Sequence, residues 1–91
     1  GMLRMTDEAG SDEKLVVAPH AKTFAGYAHI ADIDQVSRHW LERIGHFFEH
    51  YKDLESGKWV KLDGWTDAAA AKREICAGVE RYRNAAAQPG I

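Results

Sequence analysis

The chain has 91 residues, enough for one small domain and too few for two. Its 45% apolar and 29% charged residues, with three Trp, three Tyr and three Phe, argue against disorder and describe an ordinary globular protein. A formal net charge of −2 with scattered basic residues argues against nucleic acid or an anionic membrane as partner.

Leu3 to Met5 alternates apolar, basic, apolar, as the end of a strand does. An acidic loop from Thr6 to Glu13 follows, with Gly10 as its turn residue. Lys14 to Ala18 reads as a second strand, stopped by Pro19. Residues 1–18 are therefore expected to form a hairpin whose connection carries Asp7, Glu8, Asp12 and Glu13. Residues 20–31 show no period and read as a surface loop.

Asp32 and Asp34 are candidate N-caps of a first helix, and Gln35 lies three after Asp32, as a capping box requires. Val36, Trp40, Ile44, Phe47, Phe48 and Tyr51 then recur at helical spacing. The pattern runs to about Leu54, with Gly57 as the breaker. Trp59 to Asp63 is a short predicted strand, turned by Gly64. Thr66 is expected to cap a second helix, with Asp67 placed against the helix dipole and Ala68, Ala71, Ile75, Val79 and Tyr82 on its apolar side. From Asn84 the chain is expected to fray through Pro89-Gly90. The order is α+β. Two of the strand signals stand near residue 1, where partner strands would come from outside this chain.

Cys76 is alone, excludes an internal disulfide, and reads as a small buried side chain in a reducing compartment. The longest apolar run, Leu15 to Ala18, is too short to span a bilayer, and no signal-peptide pattern is present. A cytoplasmic protein is expected.

Chemistry has three candidate places. The acidic loop gathers hard oxygen donors suited to Mg²⁺, Mn²⁺ or Ca²⁺, with Lys14 beside them for an anionic substrate. From spacing alone, a solvated hairpin loop is the favoured reading. His39, Arg43, His46 and His50 form a second stripe on the first helix. His46 and His50 are spaced to share a metal, but no Glu follows His46 as in the zinc protease motif, and a subunit contact is favoured. Tyr51-Lys52 at the helix end offers a phenol and an ammonium to a phosphate. Equally, Tyr51 continues the apolar stripe and Lys52 complements the helix dipole.

Two segments are specific as text. Met5-Thr6-Asp7-Glu8-Ala9-Gly10, then Asp12, Lys14 and Val17-Ala18-Pro19-His20, resembles the middle of family I inorganic pyrophosphatases. His46-Phe47-Phe48-Glu49-His50-Tyr51-Lys52-Asp53-Leu54-Glu55, with Gly57-Lys58-Trp59-Val60-Lys61 and Gly64-Trp65, resembles that family's closing helix and strand. Ala71, Ile75 and Glu80-Arg81 of the second helix also fit.

The resemblance implies the C-terminal half of an OB-like β-barrel, as a partial edge of about three strands with two flanking helices. It implies Mg²⁺-dependent hydrolysis of pyrophosphate to phosphate in the full-length family. Asp7 would be catalytic, Asp7 and Asp12 metal-site carboxylates, and Lys14, Tyr51 and Lys52 phosphate contacts, with Glu8 beside them. The family's helix lies between subunits, so His39, His46 and His50 are expected in a homo-oligomer contact.

The departures carry equal weight. The family's Asp-x-Asp-Pro-x-Asp segment is absent, and Asp32-Ile-Asp34 has neither its Pro nor its third Asp. The upstream Lys, Glu, Arg and Tyr that grip substrate are absent too. Residues 1–91 are therefore expected to be one fragment of that domain, with little activity by itself. The alternative is a non-catalytic remnant that assembles through its helices.

Overall fold

The strand β1 (Met2–Asp7) organises the computed structural model, which describes residues 1–85. Met2, Leu3 and Met5 on it are buried to 4% exposure or less and form most of the small core. Along one edge of β1 lie β2 (Gly10–Ser11) and β3 (Lys14–Leu15), both antiparallel to it. Asp7 faces Gly10, Thr6 faces Ser11, Leu3 faces Lys14 and Met2 faces Leu15. The register continues between and beyond these pairs: the Asp12 amide donates to Met5 O at 2.9 Å, and Val16 N to Gly1 O at 3.0 Å. β2 and β3 are thus two parts of one hairpin arm, as the sequence implies. Regular pairing ends sooner than expected, at Leu15, and Val17 is 79% exposed.

The other edge of β1 takes β4 (Val60–Thr66), also antiparallel. Met5 faces Leu62 while Arg4 faces Gly64, so Asp63 is an extra residue on β4 and makes a bulge. Gly64, expected to turn the chain after the strand, instead sits inside it at φ +107°, a conformation that favours glycine. The strand runs through this kink to Thr66. The sheet has four strands, and with β2 and β3 sharing one arm it matches the expected edge of about three.

Asp32 and Gln35 do form the expected capping box, but around a 3₁₀ turn, Ile33–Gln35. Val36 then returns to extended backbone, and the helix α1 (Arg38–His50) begins only after Ser37. Its end also falls short of Leu54. The Asp53 amide bonds to His50 O and the Glu55 amide to Lys52 O, so the winding has tightened to three-residue turns. Gly45 is the buried residue of α1, and a Cβ added there would meet Leu62 Cδ1 at 3.5 Å. The helix thus lies closely over β4.

α2 (Ala68–Arg83) is capped by Asp67, not Thr66: Asp67 Oδ1 accepts from Ala70 N at 2.9 Å. The Thr66 hydroxyl donates instead to Met2 O at 3.1 Å, joining the end of β4 to the start of β1. Asp32 Oδ1 accepts from both Ile33 N (2.6 Å) and Ala68 N (2.8 Å), so one carboxylate serves the 3₁₀ turn and the start of α2. Those amides hold its carboxyl below the usual carboxylate range, Ile33 contributing most.

On α2 only Ala71 is buried. Ile75, Val79 and Tyr82 are more than 40% exposed, as are Trp40, Phe47 and Tyr51 on the α1 side. The helical periods are therefore correct, but these residues of the apolar stripes stay open to solvent. Cys76 is exposed rather than buried, because α2 meets the sheet through Ala71 on another part of its surface. Among the described residues no helix is long and apolar enough to cross a membrane. The fraying expected beyond Ala85 lies outside the described residues.

Candidate functional site

Alternation along β1 puts Leu3, Met5 and Asp7 on one face. The register adds Lys14 opposite Leu3, Asp12 opposite Met5, Leu62 opposite Met5 and Val60 opposite Asp7. α1 covers this face, and its C-terminal end brings Phe48, Tyr51 and Lys52 to the tip of the hairpin. Residues far apart in the chain therefore meet where β1 ends and α1 ends.

Lys52 Nζ donates to Asp7 Oδ2 at 2.8 Å, with side-chain exposures of only 13% and 9%. Glu8 Oε2 lies 3.4 Å from the same ammonium. The second Asp7 oxygen accepts from the Ala9 amide at 2.8 Å. Lys52 first, and the Ala9 amide next, hold the Asp7 carboxyl below the usual carboxylate range. In turn the Asp7 hydrogen bond pushes the Lys52 ammonium pKa upward, against the effect of burial. Both groups are ionised at neutral pH.

A second pair stands alongside. Lys14 Nζ bonds Asp12 Oδ1 at 2.9 Å and lies 5.4 Å from the centre of the Phe48 ring. Lys52 likewise lies 5.5 Å from the Tyr51 ring, which stacks on Phe47. The two ammonium groups are thus held over aromatic faces that favour cations. Phe48 is a member of this cluster that reading the apolar stripe alone misses. In the sequence it stands four residues before Lys52, inside the His46–Glu55 segment that carries the resemblance.

Asp7, Asp12, Lys14, Tyr51 and Lys52 are brought into one neighbourhood, with Glu8 at its edge. His39, His46 and His50 are not part of it. They are exposed along α1, where the His46 and His50 rings lie 4.5 Å apart. Among the described residues no group of three or more His, Cys, Asp or Glu is arranged to hold a metal ion. The carboxylates of Asp7 and Asp12 are the hard donors a divalent cation of the Mg²⁺ kind prefers. Each is bonded to a lysine, Asp7 to Lys52 and Asp12 to Lys14.

Known proteins resemble this chain in sequence and in fold. The family model described as inorganic pyrophosphatase matches residues 1–83. The inorganic pyrophosphatase of Xanthomonas campestris pv. campestris is 71% identical over 84 residues, covering 92% of this chain and 47% of that protein. Its Escherichia coli K12 counterpart is 56% identical over 84 residues, covering 92% and 48%. Among solved structures, an inorganic pyrophosphatase from Coxiella burnetii superposes with a TM-score of 0.86 at 44% identity, covering 89% of this chain and 48% of that one. One from Helicobacter pylori gives 0.88 at 41% identity, covering 91% and 49%. The chain spans about half the length of the curated relatives it matches. A match through nearly all of the described residues, in both sequence and fold, makes this chain a member of the inorganic pyrophosphatase family.

Proposed function

We propose that this chain supplies part of the site of a Mg²⁺-dependent inorganic pyrophosphatase. Asp7 is its catalytic carboxylate, Asp7 and Asp12 face the metal, and Lys14, Tyr51 and Lys52 hold phosphate. The observation that carries this reading is the shielded Lys52–Asp7 contact at 2.8 Å beside the Lys14–Asp12 contact at 2.9 Å. Taking such charges out of water is costly, so ion pairs like these are weak devices for stability alone. They make better sense as a resting arrangement of groups with other partners to receive.

The chemistry follows from exchange of those partners. Pyrophosphate presents to the lysines what the carboxylates present now, an anionic oxygen. Lys52 and Lys14 turn toward it, the Tyr51 phenol donates a hydrogen bond, and Asp7 and Asp12 are left with free lone pairs for Mg²⁺. Mg²⁺ would be held by Asp7 and Asp12, and when bound it would supply charge neutralisation for the phosphate and acidification of water. Asp7, kept ionised by its surroundings, acts as a ligand and as an acceptor for a water proton. Net addition of water across the P–O–P bridge yields two phosphates.

Two metal-facing carboxylates do not complete the coordination that Mg²⁺ demands. The reading therefore has the remaining donors come from the half of the relatives' length that this chain does not span. It places the working protein in the cytoplasm as a homo-oligomer. The purified 91-residue chain, assayed for phosphate release from pyrophosphate with Mg²⁺, is expected to show negligible turnover. A rate approaching tens per second, ordinary for an enzyme, would show that these residues suffice without further donors.

A second reading, a non-catalytic assembly module, is favoured by the exposed Trp40, Phe47, Ile75 and Val79. Phosphate titration separates the two. Amide and side-chain shifts centred on Lys14, Tyr51 and Lys52 support the catalytic reading, whereas an unresponsive site supports assembly alone.

A further inference from the structure

Beside Lys14 stands a side chain to which the pyrophosphate chemistry gives no part. Phe48 of α1 is half-buried, and the Lys14 ammonium lies over its ring, 5.4 Å from the centre. Two neighbours hold that ring: Phe47 and Tyr51 meet it nearly at right angles, at 79° and 87°, with centroids 5.1 and 5.6 Å away. Lys14 arrives from β3, so helix and hairpin arm meet at this contact. The ammonium thus has two anchors of different kinds. Asp12 Oδ1 accepts a hydrogen bond from it at 2.9 Å, and Phe48 offers the negative face of an aromatic ring.

The two anchors respond differently to an anion. A phosphate oxygen competes with Asp12 for the same N–H donors. It does not compete with the ring, which attracts the cation through its quadrupole. We propose that Phe48 is a positioning residue, whose ring keeps the Lys14 ammonium in place while Lys14 exchanges Asp12 for phosphate. Without the ring, the carboxylate is the sole anchor of the two, and it is the one the anion displaces. Phosphate itself must then order a long, flexible lysine, at the expense of affinity. The inference rests on the reading of Lys14 as a phosphate contact.

The test is NMR titration of the full chain with inorganic phosphate, following the side-chain signals of Lys14 and Lys52. Phenylalanines carrying one, two or five ring fluorines are placed at position 48, which drains the negative face stepwise while nearly preserving shape. Phosphate affinity should fall with each step, by about two- to fivefold over the series. In a Lys14→Met background, the binding that remains at Lys52 should be indifferent to the fluorine count. The same amino acids in place of Phe24, which stacks on Tyr27 outside this cluster, should change nothing. A ring that only fills space between helix and hairpin gives an affinity independent of fluorination. That result, with the wild type still binding at Lys14, overturns the inference alone, as does a gradient that persists in Lys14→Met. A wild-type Lys14 that does not respond to phosphate overturns the underlying reading, and the inference with it.

Discussion

Lys52 and Asp7 show how much one contact between remote residues can settle. Each is readable in the sequence as a charged residue, and the resemblance assigns each a role. Their pairing across 45 positions has no periodic signature, so only the fold reveals it. The same holds for Phe48, whose place in an apolar stripe conceals its contact with Lys14. Because Asp7 is buried, Lys52→Met leaves a shielded carboxylate without its cation and should lower the urea midpoint. Adding Asp7→Asn should recover much of the loss. A double mutant that is merely the sum of the two singles would show that the groups are not coupled.

Asp32 gives the pH dependence. Its folded pKa lies below the ordinary value of 3.8, so its contribution is fully present above that value. The contribution is lost as pH falls through the depressed folded value, when the carboxyl can no longer accept fully from Ile33 and Ala68. Urea midpoints should therefore drop more steeply below pH 3.8 in the wild type than in Asp32→Asn. Asp7 titrates in both proteins, so the difference between them isolates Asp32. Parallel curves would remove Asp32 as a source of acid sensitivity.

At the level of elements, the existence and type of both helices and of the hairpin are legible in the sequence, and their limits are less so. Capping chemistry at Asp32 and Gln35 is real, but Val36 takes extended backbone, so the same residues mark a 3₁₀ turn instead of the helix start. Hydrophobic period alone cannot see that difference. Gly64 is misread for a related reason: a glycine near a strand end signals a turn or a bulge equally well, and only pairing with β1 decides. Gly64→Ala forces a Cβ into φ +107° and is expected to cost about 1–2 kcal/mol. Chemical denaturation would measure it. A neutral result would mean that the bulge relaxes to negative φ without disturbing β1.

Considered whole, the molecule leaves much of its apolar surface outside. The stripes on α1 and α2 are legible in the sequence, yet Trp40, Phe47, Ile75 and Val79 remain 43–59% exposed. A period reports that one side of a helix wants cover and says nothing about who provides it. Apolar exposure of this extent marks an interaction surface, and a two-fold pair is the commonest closed arrangement. Light scattering of the purified chain at micromolar concentration should thus report more than a monomer. A cooperative monomer would show that these side chains tolerate water and that His39, His46 and His50 form no subunit contact.

The position of β1 between its hairpin arm and β4 bears on how the chain reaches this form. One neighbour lies a few residues away, while the other must return from as far as Thr66 to face Met2. The near pairing closes a short loop and can form early; the far one must first overcome a much larger loss of chain freedom. On a ribosome the hairpin can therefore emerge and fold while β4 is still being made. During that interval one side of the central strand, with Leu3 and Met5 beneath it, stands as an unpaired edge. Such an edge accepts strands from other molecules as readily as its own. The rate at which α1 and β4 arrive, more than the final energy of their contacts, then governs how much newly made chain escapes aggregation.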